Sequence, residues 1–128
     1  MKPEAYFLKK AKLIFRNDYF KDGIIRICLA LSLILDTVLW FYIGSLAKQS
    51  HYSIALHYTV YFGIDLLGES KQVLVIALVG LIILITNVIL GYRIYSYNKL
   101  SSYFLAITSI LVHFFLFLAA YGLVLINS

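Results

Sequence analysis

Apolar and polar residues along the chain fall into long blocks, with three predominantly apolar stretches separated by more polar ones. The central stretch, 73–95, carries no charge before Arg93. At about 1.5 Å rise per residue, a helix of that length crosses a hydrocarbon core about 30 Å thick. Residues 24–47 and 100–126 have the same character, which predicts an all-α, integral-membrane three-helix bundle. Each predicted span carries one stripe of small or polar residues at helical spacing. The stripes are Cys28, Ser32, Asp36, Ile43 and Ala47; Ala77, Gly80, Leu84, Asn87 and Gly91; and Ser102, Ala106, Ser109, His113 and Ala120. Small residues let helices approach, and polar ones hydrogen-bond where lipid offers no partner, so the stripes mark the mutually facing sides.

Residues 1–22 are too basic and too interrupted to span a membrane. On a helical wheel Phe7, Leu8, Ala11, Ile14 and Phe15 share one face, while Lys9, Lys12 and Arg16 share the opposite one. This is the pattern of an amphipathic membrane-surface helix whose basic side faces anionic lipid; the same face is also suited to another protein's helix. Pro3 and Glu4 fit the first turn of such a helix. The apolar run that follows is longer than the ~7–15 residues of a cleavable signal. The expected organisation is therefore a surface helix at 1–22 and one membrane domain at 23–128, with a loop at 48–72.

That loop has its own pattern. Ile54, Leu56, Tyr58, Val60 and Phe62 alternate with His57, Thr59 and Tyr61, as in a strand, and Gly63 and Gly68 are expected to break the segment before the second span. A lone strand leaves its backbone unpaired, so this one must find a partner or lie at the interface. His51, His57, Asp65 and Glu69 have no spacing diagnostic of a metal site. The run from Ile54 to Ile76 resembles the outer segment of a bacterial membrane domain found at the N terminus of immunity proteins against the sporulation-delaying toxin. His57, Tyr58, Gly63, Asp65 and Lys71 stand at the positions of its motif, with Ala55 where proline is usual and Thr59 where asparagine is usual. The resemblance implies a non-enzymatic membrane module with an outward-facing loop, in which His57, Tyr58, Gly63 and Asp65 are binding candidates.

Composition agrees with a membrane protein: 62% of residues are hydrophobic, 13% are charged and the mean hydropathy is +0.91. Little chain remains for a catalytic domain, and Cys28, the single cysteine, excludes an intramolecular disulfide. The net charge of +5 is a topology signal. Lys2, Lys9, Lys10, Lys12, Arg16, Lys21, Arg26, Arg93 and Lys99 lie on one side of the spans, and only Lys48 and Lys71 on the other. A multi-pass protein of the cytoplasmic (plasma) membrane is expected, bacterial inner membrane by its resemblance, with the N terminus inside and the C terminus outside. Basic residues next to a membrane and without a reading motif do not point to nucleic acid.

Function, if it sits within the membrane, sits at its polar residues. Asp36 and His113 are each about 18 Å deep on this topology, and Asn87 is level with Thr108 nearer the N-terminal side. An aspartate at the centre of a span costs about 2.5–3.5 kcal/mol, so something must offset it. Asp36 and His113 form either a protonatable pair in an ion or proton pathway built by oligomerisation, or a pair that fixes packing. No catalytic motif is present: there is no HExxH, GxSxG or phosphate-binding glycine loop. No cofactor is implied. The expected partners are membrane lipids and either another membrane protein, with the chain as an accessory or sensing subunit, or further copies of the chain.

Overall fold

Backbone amides in hydrocarbon must be satisfied within their own segment, which makes helices of the three apolar stretches. The structure is a computed structural model that describes residues 18–49, 53–61 and 63–127. The basic surface segment, with Lys9, Lys12 and Arg16, lies outside the described residues. The described chain begins with the short helix α1 (Asp18–Lys21) and continues into α2 (Gly23–Gln49), β1 (Ser53–Thr59) and β2 (Gly63–Glu69). A 3-10 turn (Ser70–Val73) then leads into α3 (Leu74–Ile94), and α4 (Lys99–Asn127) completes the bundle. The long helices have 27, 21 and 29 residues, and all three are long and apolar enough to cross a membrane. This is a small multi-pass membrane protein.

Helix boundaries follow from local chemistry. Asp22 caps α2: its Oδ1 accepts from the amides of Ile24 (3.0 Å) and Ile25 (3.4 Å), and its carbonyl accepts from Arg26 (3.0 Å). Asn98 does the same for α4 through Ser101 (3.2 Å). Only Tyr95 to Asn98 separate α3 from α4, and so short a link makes the two helices antiparallel neighbours.

The helices face one another through their small and polar stripes, and large apolar side chains such as Ile27, Phe41, Val75 and Phe115 point outward. Cys28, Ser32, Asp36, Leu39 and Ile43 of α2, Ala77, Gly80, Leu84 and Gly91 of α3, and Ser102, Ala106, Ser109, His113 and Ala120 of α4 are buried. Two apolar clusters bracket a polar layer. At the hairpin end Leu39, Ile43, Leu46, Ile54, Val73, Ala77 and Ala120 pack together; at the opposite end Tyr19, Ile25 and Tyr95 do.

The loop differs from its sequence expectation. Gly63 and Gly68 do not break it; both belong to a second strand that pairs antiparallel with the first, from Ser53 opposite Glu69 to Thr59 opposite Gly63. Gly63 takes φ +71°, the left-handed conformation that lets the chain reverse without a Cβ penalty. Gly68 is small for a packing reason, since a Cβ there would run into the side chains of Leu56 and Gln72. The register slips on either side of His57, a bulge that uncouples the strict alternation read from the sequence. Ahead of the bulge Ile54 and Ala55 are both buried, Ile54 in the apolar cluster at this end and Ala55 against Asn127.

Candidate functional site

All three long helices meet at a carboxylate. Asp36 on α2 places Oδ1 3.2 Å from His113 Nε2 on α4, with both residues almost fully buried. The other ring nitrogen, Nδ1, lies 2.6 Å from the Ser109 carbonyl oxygen. A carbonyl can only accept, so Nδ1 carries a hydrogen and Nε2 is the nitrogen that faces the carboxyl group, where a hydrogen bond requires one proton between the two. Whichever partner holds that proton, the pair as a whole is neutral, which is what hydrocarbon depth demands of it.

Gly80 of α3 closes the site from the third side. A Cβ there would stand 3.0 Å from Leu116 Cδ1, 3.1 Å from Asp36 Oδ1 and 3.3 Å from His113 Nε2, so α3 reaches the pair only because it has none. The polar layer continues along α4. Asn87 donates to Ser109 Oγ (3.0 Å), and that hydroxyl donates to the Leu105 carbonyl (3.1 Å). Thr108, the polar residue level with Asn87, faces outward, because one residue along a helix turns the side chain by about 100°. Toward the tyrosine end, Ser102 donates to the Gly91 carbonyl (2.8 Å), and on α2 Ser32 donates to the Cys28 carbonyl (2.9 Å).

A second carboxylate works at the end opposite the hairpin, and it was not singled out from sequence. Asp22 Oδ2 accepts from Tyr103 (2.7 Å) and Tyr95 (2.9 Å) while Oδ1 caps α2. These bonds, Tyr103's foremost, hold the Asp22 carboxyl below the usual carboxylate range against a partial loss of hydration. The Tyr95 phenol, donating to that carboxylate, is pushed up to about 12. Tyr19 lies against Gly91, where a Cβ would come 2.9 Å from its hydroxyl, and its ring meets Tyr95 edge-on at 5.7 Å. Burial raises the Tyr19 phenol. The readable sequence signal was an aspartate at a cap position beside an aromatic belt; which tyrosines would reach it depends on how the helices pack.

At the hairpin, His57 is exposed on β1 opposite Leu66, and Tyr58 stands in register with Ile64. Gly63 makes the reversal, and Asp65 lies in β2; the side chains of Tyr58 and Asp65 lie outside what is described. Another missed residue holds this element in place. The Asn127 side chain accepts from the Ala55 amide (2.8 Å) and donates to the Ala55 carbonyl (2.9 Å) and the Leu123 carbonyl (2.8 Å), occupying the β1 edge as a third strand would. Ser70 adds a bond to the Ala47 carbonyl (3.2 Å).

Among the described residues no group of three or more His, Cys, Asp or Glu side chains is placed to hold a metal. No family model, curated protein or solved structure matches the chain.

Proposed function

We propose that the chain is a non-enzymatic recognition module of the cytoplasmic membrane, oriented with its N terminus inside, whose hairpin meets a partner on the outer side. The observation that carries this reading is a two-stranded sheet anchored to the bundle yet apolar where it is free. Asn127 and the buried Ile54 tie β1 to the helix ends, while Val60 and Tyr61 at the tip are 86% and 92% exposed. Ile64, Leu66 and Leu67 are exposed along β2. Among the described residues no strand pairs with the outer edge of β2. An edge of this kind accepts an extended peptide by strand addition, and the apolar side chains beside it supply specificity. An accessory subunit bound to another membrane protein and an immunity module that meets a peptide toxin both use such a surface.

The ion-pathway alternative is supported by one observation, the buried contact of two ionisable side chains, Asp36 and His113, within the bundle. Their enclosure by Gly80 within a single chain favours the packing role instead, since a pathway between copies needs them on an outer face.

A photoreactive residue in place of Tyr61 tests the proposal in the native membrane. It should crosslink a partner, and Val60→Ser with Tyr61→Asn should reduce co-purification of that partner while the protein remains inserted. Loss of toxin protection on His57→Ala or Asp65→Ala would identify the immunity form of the reading. Absence of any crosslink, together with a proton flux in liposomes that Asp36→Asn abolishes, would overturn it in favour of the pathway.

A further inference from the structure

The side-chain hydrogen bonds described above that join one spanning helix to another within the membrane all run to α4: α2 is joined to it at His113, and α3 at Ser109 and Ser102. Among the described residues, no side-chain hydrogen bond links α2 directly to α3 within the bundle. Along that seam Leu29 and Leu33 of α2 and Leu84, Ile85, Val88 and Ile89 of α3 line a wholly apolar groove of about 290 Å³. A void of this size left empty forfeits dispersion contacts on every wall, and within a bilayer the material at hand to fill it is an acyl chain.

Charge at one end of the groove selects which lipid. Arg26 precedes Leu29 and Leu33 by one and two helical turns on the same stripe of α2, and Arg93 follows Ile89 and Ile85 by one and two turns on α3. The two helices run antiparallel, so both arginines come to the tyrosine end of the seam. Both are exposed, and among the described residues neither makes an ion pair. Among the described residues the acidic ones at that end are already engaged, Asp18 with Lys21 at 3.1 Å and Asp22 with two tyrosines. The guanidinium fork suits a phosphate at headgroup depth, and the cytoplasmic leaflet, which this end faces in the orientation proposed above, is the anionic one.

We infer that the α2–α3 seam is a binding site for one anionic glycerophospholipid, with an acyl chain in the leucine and isoleucine groove and the phosphate between Arg26 and Arg93. The site is independent of the hairpin and of whatever the hairpin meets.

Native mass spectrometry of the full chain in mild detergent, titrated separately with phosphatidylglycerol and phosphatidylcholine of equal chain length, tests this. One phosphatidylglycerol should bind in preference to phosphatidylcholine. Arg26→Gln and Arg93→Gln should each weaken it about fivefold and together about thirtyfold, the factor per cation expected at an anionic surface. Ile85→Trp, which fills the groove and leaves both charges, should also displace the lipid. The arginines make no internal ion pair, so a helical circular dichroism spectrum like that of the parent is expected for both variants. Equal retention of the two lipids would overturn the inference, as would unchanged binding in the double arginine variant. So would an equal loss in Lys99→Gln, whose charge is at the same end but on α4, or a dimer that excludes lipid and seats a second copy in the groove.

Discussion

Two aspartates tie this bundle together, and they do so with different chemistry because they stand in different solvents. Asp22, at the end of the bundle, takes two phenolic hydroxyls and two backbone amides, four hydrogen bonds that favour its charged form. Asp36, deep between the helices, takes a single imidazole nitrogen at 3.2 Å. Water and neutral donors suffice at the surface. In hydrocarbon a carboxylate needs a partner that cancels its charge, and His113 is placed to do so by its second bond to Ser109. The same residue type therefore serves as a charged cap in one place and as half of a neutral pair in the other.

The largest test separates the two carboxylates by removing their partners. His113→Leu leaves Asp36 unpaired at membrane depth and should cost about 2.5–3.5 kcal/mol in reversible unfolding from mixed micelles. The double change Asp36→Leu with His113→Leu should recover most of that loss, as expected when a buried pair is replaced by apolar side chains. Equal losses in the single and double variants would remove the neutral pair from the account. Gly80→Val, which pushes α3 away from the same pair, should cost about 1–3 kcal/mol by overpacking, whereas Gly44→Val, with open space around it, should cost far less in the same assay.

The surface carboxylate should reveal itself through pH. Because the Asp22 carboxyl is lowered in the folded state, its contribution is complete above the ordinary carboxylate value near 3.8 and is lost as pH falls below it. Tyr95, raised from 10.0 to about 12, contributes fully below pH 10 and loses its contribution as pH rises between those values. Stability should thus be level around neutrality and decline at both extremes. Asp22→Asn should flatten the acid limb, and Tyr95→Phe should remove one late-ionising phenol from the tyrosinate absorbance titration. The smallest contrast is between two polar residues level with each other on α3 and α4. Asn87→Leu should cost about 0.6 kcal/mol, the average for a hydrogen bond between membrane helices, while Thr108→Val on the outer face should change nothing measurable.

Sequence pattern predicted the three spans and their facing stripes because both rest on local rules: length against bilayer thickness, and side-chain direction on a helix. Asp36 and His113 were matched in depth by counting residues, and counting could do no more than that. The loop illustrates where such reasoning stops. Its first strand was legible from alternation, and the need for a partner followed from its unpaired backbone. That the partner was the segment Gly63–Glu69, just beyond the turn, was hidden by Gly63 and Gly68, which read as breakers in isolation and serve here as a turn and a close approach. Helical spacing alone put Ser109 on the stripe of α4 and Thr108 off it, and the structure buries the first and exposes the second.

By itself, then, the sequence determined that this chain lives in a membrane, how many times its described helices can cross, and which stripe of each helix avoids lipid. Those properties follow from hydrophobicity and periodicity, which add up residue by residue. Tertiary structure alone decided that Asp36 meets His113 under Gly80, that Tyr95 and Tyr103 converge on Asp22, and that Asn127 holds the hairpin at Ala55. Those pairs lie between 72 and 81 residues apart in the chain, save for Gly80, whose fit is set by two other helices. A side chain at such a distance becomes a neighbour only through the rotation and offset of packed helices, and no local pattern encodes these.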